Sequence, residues 1–205
     1  MKPLPYRTAE ERAAAADRLR RHLVGGGLIA YPTETVYGLG CALIPAALER
    51  LAAFKGDRPF LLLVRGHSDV ADLAWTPAAE RLAGEFWPGP LTLALQSRGG
   101  YPHQVVGPEG TVAVRVSPHG AIPDILKAAA GPVTSTSANR PGDPPARSAR
   151  AAEETAAKVD ERLVLDGGEL PPASPSTIVH CAGATRVLRE GAISRLELQA
   201  VVDLV

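Results

Sequence analysis

Two short stretches concentrate oxygen and nitrogen side chains directly behind apolar segments. YPTETVYGLG at 31–40 places Thr33, Glu34 and Thr35 after the apolar GLIAY. TSTSAN at 134–139 places four hydroxyls and an amide after a short strand-like PV. In open α/β sheets, ligands bind beyond the ends of strands. Hydroxyls and backbone N–H groups at a strand–helix turn suit phosphate or carboxylate oxygens. Both stretches also satisfy ordinary turn chemistry, with Thr and Ser bonding back to nearby backbone and Gly supplying positive φ. Arg115 stands inside the apolar TVAVRVS, where a guanidinium requires a carboxylate from the protein or from a ligand. Lys55 and Arg58 follow a helical stretch, a place that the helix dipole alone favours for cations. Together these residues describe a cleft with hydroxyl donors and several cations. Such a cleft suits an anionic ligand, such as a nucleotide together with a small carboxylate.

Other chemistries find no support. No GxxxxGK[ST], GxGxxG, HExxH or GxSxG occurs. The histidines at 22, 67, 103, 119 and 180 are scattered. Cys41 and Cys181 have no CxxC spacing and no flanking ligands, which excludes a disulfide framework and a metal held by protein side chains. Two thiols in a chain of this size fit a reducing compartment.

The elements that must position these residues follow from pattern. Thr8 to Glu11 reads T-x-x-E, a capping box, and the helix behind it runs to about Val24 and stops at three glycines. GLIAYPT predicts a buried strand ended by Pro32, and FLLLV at 60–64 predicts a central one. LTLALQ, TVAVRVS, PVTSTSAN, RLVLD, STIVH and TRVLR predict further strands. Helices are expected over 45–54, 77–86, 122–129, 149–158 and 194–204, the last capped by Ser194. WPGP at 87–90 is a turn, and PGDPPARS at 141–148 an ordered surface loop. Strands interleave with helices at first and cluster later, so the expected fold is an α/β domain with a mixed sheet.

Composition narrows the classes. The 205 residues carry 45% hydrophobic and 21% charged side chains, an ordinary globular balance, and suggest a single domain over 1–205. Twenty glycines and nineteen prolines anticipate many tight turns. The 22 basic and 22 acidic residues cancel, so the global field of a non-specific nucleic-acid binder is missing. Aromatics at 4% argue against a base-stacking platform. The N-terminus lacks the apolar core of a signal peptide, and no apolar run approaches the roughly 20 residues that span a bilayer. The expected location is cytoplasmic, without membrane contact.

The stretches YPTETVYGLG, Lys55, WPGPLTLAL, TVAVRVSPHG, PVTSTSANRPGDPPA, STIV and VLREGAIS, in this order over residues 27–194, resemble one family. It is the threonylcarbamoyl-AMP synthase family, with its YrdC-like domain in the single-domain form. The resemblance implies a twisted mixed parallel/antiparallel sheet with surrounding helices and a deep open groove. It implies a nucleotidyltransferase that converts L-threonine, bicarbonate and ATP, with Mg2+, into threonylcarbamoyl-AMP and pyrophosphate. The product would feed tRNA N6-threonylcarbamoyladenosine formation by a downstream tRNA threonylcarbamoyl transferase. Carried over by position, Thr33, Arg115 and Ser135 look like threonine contacts. Lys55, Arg58, Thr111, Ser137, Asn139 and Arg189 look like ATP contacts.

The chain also departs from the family pattern. FKGDRPFLLLV is about three residues shorter than usual, and Asp57 stands where a second cation is expected, with Arg58 as its substitute. His180 replaces the usual Asp after STIV, and Pro141 a common Ser. Two other readings compete: an RNA-binding or ribosome-assembly module with weak tRNA contact, and a nucleotide-binding paralogue without turnover.

Overall fold

The computed structural model describes residues 2–56, 58–140, 142–157, 159 and 162–205. Asp57, Pro141 and Lys158 lie outside the described residues.

The capping box is present at Thr8 and Glu11, and helix α1 (Ala9–Val24) stops at Gly25, with Gly26 at φ 81° turning the chain back. Strands β1 (Leu4–Pro5), β2 (Leu28–Tyr31) and β3 (Gly38–Gly40) precede α2 (Pro45–Lys55). Then come β4 (Leu61–Leu63), β5 (Leu73–Ala74), α3 (Pro77–Phe86), β6 (Leu91–Ser97), β7 (Thr111–Arg115) and α4 (Ile122–Ala129). The chain closes with β8 (Val133–Ser137), α5 (Ala149–Ala156), β9 (Arg162–Asp166), β10 (Thr177–His180), β11 (Arg186–Arg189) and α6 (Arg195–Gln199).

One mixed sheet runs in the order β1-β9-β2-β3-β8-β4-β7-β6-β10-β11, with β5 added beside β6. The pairs β1/β9, β2/β9, β4/β7 and β6/β10 are parallel and the others antiparallel. FLLLV lies near the middle, as its continuous apolar run predicts.

Side-chain alternation with period two divides the interior. Leu62 and Val64 belong to one core with Leu91, Leu93, Leu95, Val112 and Val114, under α2, α3, α5 and α6. Ile29, Tyr31, Leu63, Val133, Leu163 and Leu165 point the other way, against the apolar faces of α1 and α4. Helices α1 and α4 cover only part of that second face. Over β6, β7, β8 and β10 it is left open.

Four differences from the sequence expectation stand out, three of them with a local cause. The closing helix ends at Gln199 rather than Leu204, because Val202 turns into the core and the Val205 N–H donates to the Thr185 carbonyl. Helix α5 ends at Ala156. Strand β3 falls within YPTETVYGLG, whose glycines disguise it. Gly40 is required there, since a Cβ would fall 1.7 Å from the Thr134 carbonyl oxygen of the neighbouring strand. The two-residue strands β1 and β5 are too short to leave a periodic signal. No helix of the described residues is long and apolar enough to cross a membrane.

Candidate active site

The uncovered half of the sheet forms the floor of an open groove of about 930 Å³. Alternation decides what reaches it. In β7, Val112 and Val114 enter the core while Thr111, Ala113 and Arg115 face the groove. In β6, Thr92 and Ala94 face it, and in β8, Ser135 and Ser137 do. Ala94, Ala113 and Gly38 keep the floor low. All nine residues singled out from the sequence, Thr33, Lys55, Arg58, Thr111, Arg115, Ser135, Ser137, Asn139 and Arg189, line this one groove.

The carboxylate partner demanded by Arg115 is supplied by the protein. Arg115 is 4% exposed, and its Nη1 lies 3.4 Å from Oε1 of Glu34. Ser117 donates its hydroxyl to Oε2 of the same carboxylate. Among the described residues Arg115 Nε has no hydrogen-bond partner.

The turn containing Thr33 does use its own hydroxyl. Thr33 Oγ1 donates to the Val36 carbonyl at 2.6 Å and accepts the backbone N–H groups of Thr35 and Val36 at 3.2 and 3.3 Å. Turn chemistry and groove lining therefore coincide in one residue, and the hydroxyl's single proton is already committed to Val36.

Lys55 reaches across from the end of α2 and pins the TSTSAN turn. Its Nζ donates to the carbonyls of Ser137 (2.9 Å) and Asn139 (2.8 Å) and to Asn139 Oδ1 (2.9 Å). All three ammonium protons are thereby used. Ser137 donates to Asn139 Oδ1 at 2.6 Å, and Asn139 Nδ2 donates to the Asp143 carbonyl. Burial, and then the nearby Arg58, holds the Lys55 pKa below its ordinary value. Arg58 itself is exposed at the groove wall.

On the opposite wall, Arg189 donates to the Ser176 carbonyl through Nη2 (2.8 Å) and Nε (3.2 Å) and to Ser176 Oγ at 3.2 Å. Thr92 donates to the same Oγ at 3.0 Å. Burial, and then the charge of Arg115, lowers the Arg189 pKa. Arg115 and Arg189 lining one groove suit an anionic ligand.

Thr92 and Ser176 were missed by reasoning from sequence as members of this constellation, and Glu34, singled out beside Thr33 and Thr35, was not matched with Arg115. Thr92 carried a signal, since LTLALQ alternates Thr and Ala against three leucines. Ser176 carried none of its own, and nothing local paired Glu34 with Arg115, because these partners lie 13 and 81 residues away, as the numbering of the Ser176–Arg189 and Glu34–Arg115 contacts shows. Among the described residues no group of three or more His, Cys, Asp or Glu side chains could hold a metal.

The family model Sua5_yciO_yrdC, described as telomere recombination, matches residues 21–191. The chain belongs to the Sua5/YciO/YrdC family. It is 42% identical over 177 residues to a threonylcarbamoyl-AMP synthase of Chromohalobacter salexigens, covering 83% of this chain and 92% of that protein. It is 36% identical to a threonylcarbamoyl-AMP synthase of Pyrococcus abyssi over 86% of its own length, but spans only 54% of that longer relative. The crystal structure of P. abyssi Sua5 complexed with L-threonine superposes with a TM-score of 0.85 at 31% identity, over 98% of this chain and 61% of that one. The mixed parallel/antiparallel sheet with its helices is thus shared with that structure.

Proposed function

We propose that the protein is an L-threonylcarbamoyladenylate synthase that joins L-threonine, bicarbonate and ATP into threonylcarbamoyl-AMP and pyrophosphate, for tRNA N6-threonylcarbamoyladenosine formation. The observation that carries the reading is the convergence of Arg115 and Arg189 on one groove, beside the Lys55–Ser137–Asn139 knot. The named activity of the relatives and the threonine complex of the P. abyssi structure support it. The reading treats residues 1–205 as one unit acting in the cytoplasm.

In this reading the threonine carboxylate lies on the free edge of the Arg115 guanidinium, between Thr33 and Ser135. A fork that already holds Glu34 on one nitrogen keeps its other donors aimed at a second carboxylate. ATP enters as its Mg2+ complex, a substrate carrying its own metal. Arg58 and Arg189 face its phosphates, while Lys55 fixes the turn that Ser137 and Asn139 present, and Thr111 closes the same wall. The threonine amine attacks bicarbonate, forming a C–N bond and releasing water. The carbamate oxygen then attacks the α-phosphorus, and pyrophosphate leaves. Such a transfer depends mainly on positioning and on neutralising phosphate charge.

The test is pyrophosphate release from ATP, with threonine and bicarbonate omitted in turn. Release that needs both supports the synthase. Nucleotide binding without release would instead identify a paralogue lacking turnover.

A further inference from the structure

We infer that Glu109, held by Arg186 and His180, is a positioning residue that sets the spacing of the Thr111 and Arg189 walls and so tunes nucleotide affinity. This rests on the synthase reading of the same groove.

Glu109 sits in the loop entering β7, with its backbone in the left-handed region at φ 60° and ψ 17°. A non-glycine residue persists there when its surroundings hold it. Its Oε1 lies 2.5 Å from Arg186 Nη2, and its Oε2 lies 3.2 Å from His180 Nε2. Arg186 Nη1 lies 3.2 Å from His180 Nδ1, closing the ring of contacts. A guanidinium only donates, so His180 Nδ1 accepts from Arg186, while the buried Nε2 faces the Glu109 carboxylate without a hydrogen-bond partner among the described residues.

An exposed ion pair by itself contributes little. Two features set this one apart. His180 is 2% exposed, so one side of the ring is fixed in the interior. The contact also spans the sheet, since β6 and β10 lie between β7 and β11. The other side-chain bonds of this loop are short-range: Thr111 Oγ1 donates to the Pro108 carbonyl at 2.9 Å, and Gln96 Nε2 to the Gly110 carbonyl at 3.2 Å. Among the described residues, the hydrogen bonds and ion pairs that tie this loop to β10 and β11 run through Glu109. Pro108 and Thr111 line one wall of the groove, Leu188 and Arg189 the other.

The test is separate calorimetric titration of Mg2+–ATP and of L-threonine into wild type, E109Q, R186Q and the charge-swapped E109R/R186E double variant, with thermal melts of each. In E109Q and R186Q the ATP Kd should rise about three- to thirtyfold, the range for residues that act without touching the ligand. The threonine Kd and the melting temperature should stay near wild type, and the swapped pair should recover most of the ATP affinity. Wild-type ATP affinity in both single variants would overturn the inference. So would a parallel loss of ATP affinity, threonine affinity and thermal stability, which would mark a general prop. A wild-type protein that binds no ATP would sink the synthase reading itself, a result distinct from either.

Discussion

Oε1 of Glu34 stands 3.4 Å from Nη1 of Arg115, while Ser117 holds the other carboxylate oxygen. With Arg115 4% exposed and the Glu34 side chain 16% exposed, this is a largely desolvated pair. Removing one member leaves the other charge buried and uncompensated, a loss of about 3–5 kcal/mol in such settings. Glu34→Ala should therefore lower stability by a few kcal/mol, measured by denaturant unfolding. A loss below about 1 kcal/mol would mean that water reaches Arg115 freely.

Arg115→Lys keeps the charge and removes the fork. Threonine affinity should fall by about 1.5–3 kcal/mol while ATP affinity stays close to wild type. An unchanged threonine titration with weakened ATP binding would reverse the two subsites.

Lys55 and Arg58 should separate. Lys55 is half-buried with three acceptors, so Lys55→Met removes three hydrogen bonds, leaves the Asn139 carbonyl without its donor, and should lose both ATP affinity and roughly 1–3 kcal/mol of stability. Arg58 is exposed, so Arg58→Ala should weaken ATP binding and leave the unfolding midpoint unmoved. If Arg58→Ala is silent in both assays, the phosphates do not reach this side of the groove.

His119 supplies a pH dependence. Burial holds its pKa below the ordinary 6.5, with Glu34 opposing the shift. Its Nδ1 accepts the Ala121 N–H at 3.2 Å, which a protonated ring could not do. A depressed histidine binds fewer protons folded than unfolded, so its contribution is complete above 6.5 and fades as pH falls through the lower folded value. Stability should decline on acidification below 6.5, and His119→Gln should flatten that decline. An identical slope in the variant would place the acid sensitivity elsewhere.

Gly40→Ala asks for space that β8 occupies, 1.7 Å from the Thr134 carbonyl. Overpacking of this kind costs about 1–3 kcal/mol or more, because backbone must move. The melting temperature should drop by several degrees or the protein should fail to accumulate. A wild-type melt would show that β3 and β8 slide apart easily.

Much of this was legible from residue order. Strands and helices with clear periodicity or caps, such as α1 and α3, fall within a residue or two of expectation. The gathering of the nine groove residues was legible from the family resemblance, and in TVAVRVS also from valines alternating with Thr111, Ala113 and Arg115. What stayed hidden depends on distant partners. Nothing in YPTETVYGLG says that Glu34 would meet Arg115, or that Lys55 would spend its protons on carbonyls near residue 138. Strand β3 was invisible because its glycines answer to a neighbouring backbone rather than to any propensity.

The strand order carries a consequence for how the chain reaches this state. Strand β2 is hydrogen-bonded to β9, formed more than a hundred residues later, and β6 to β10, more than eighty later. Such long loops must close before their contacts reward closure, which slows folding. During synthesis FLLLV emerges well before Val112–Val114 and Val133–Ser137 exist to flank it. The nascent chain therefore offers a bare apolar segment to the cell for many seconds at ordinary translation rates. Refolding at high concentration should aggregate through that segment unless a holdase shields it.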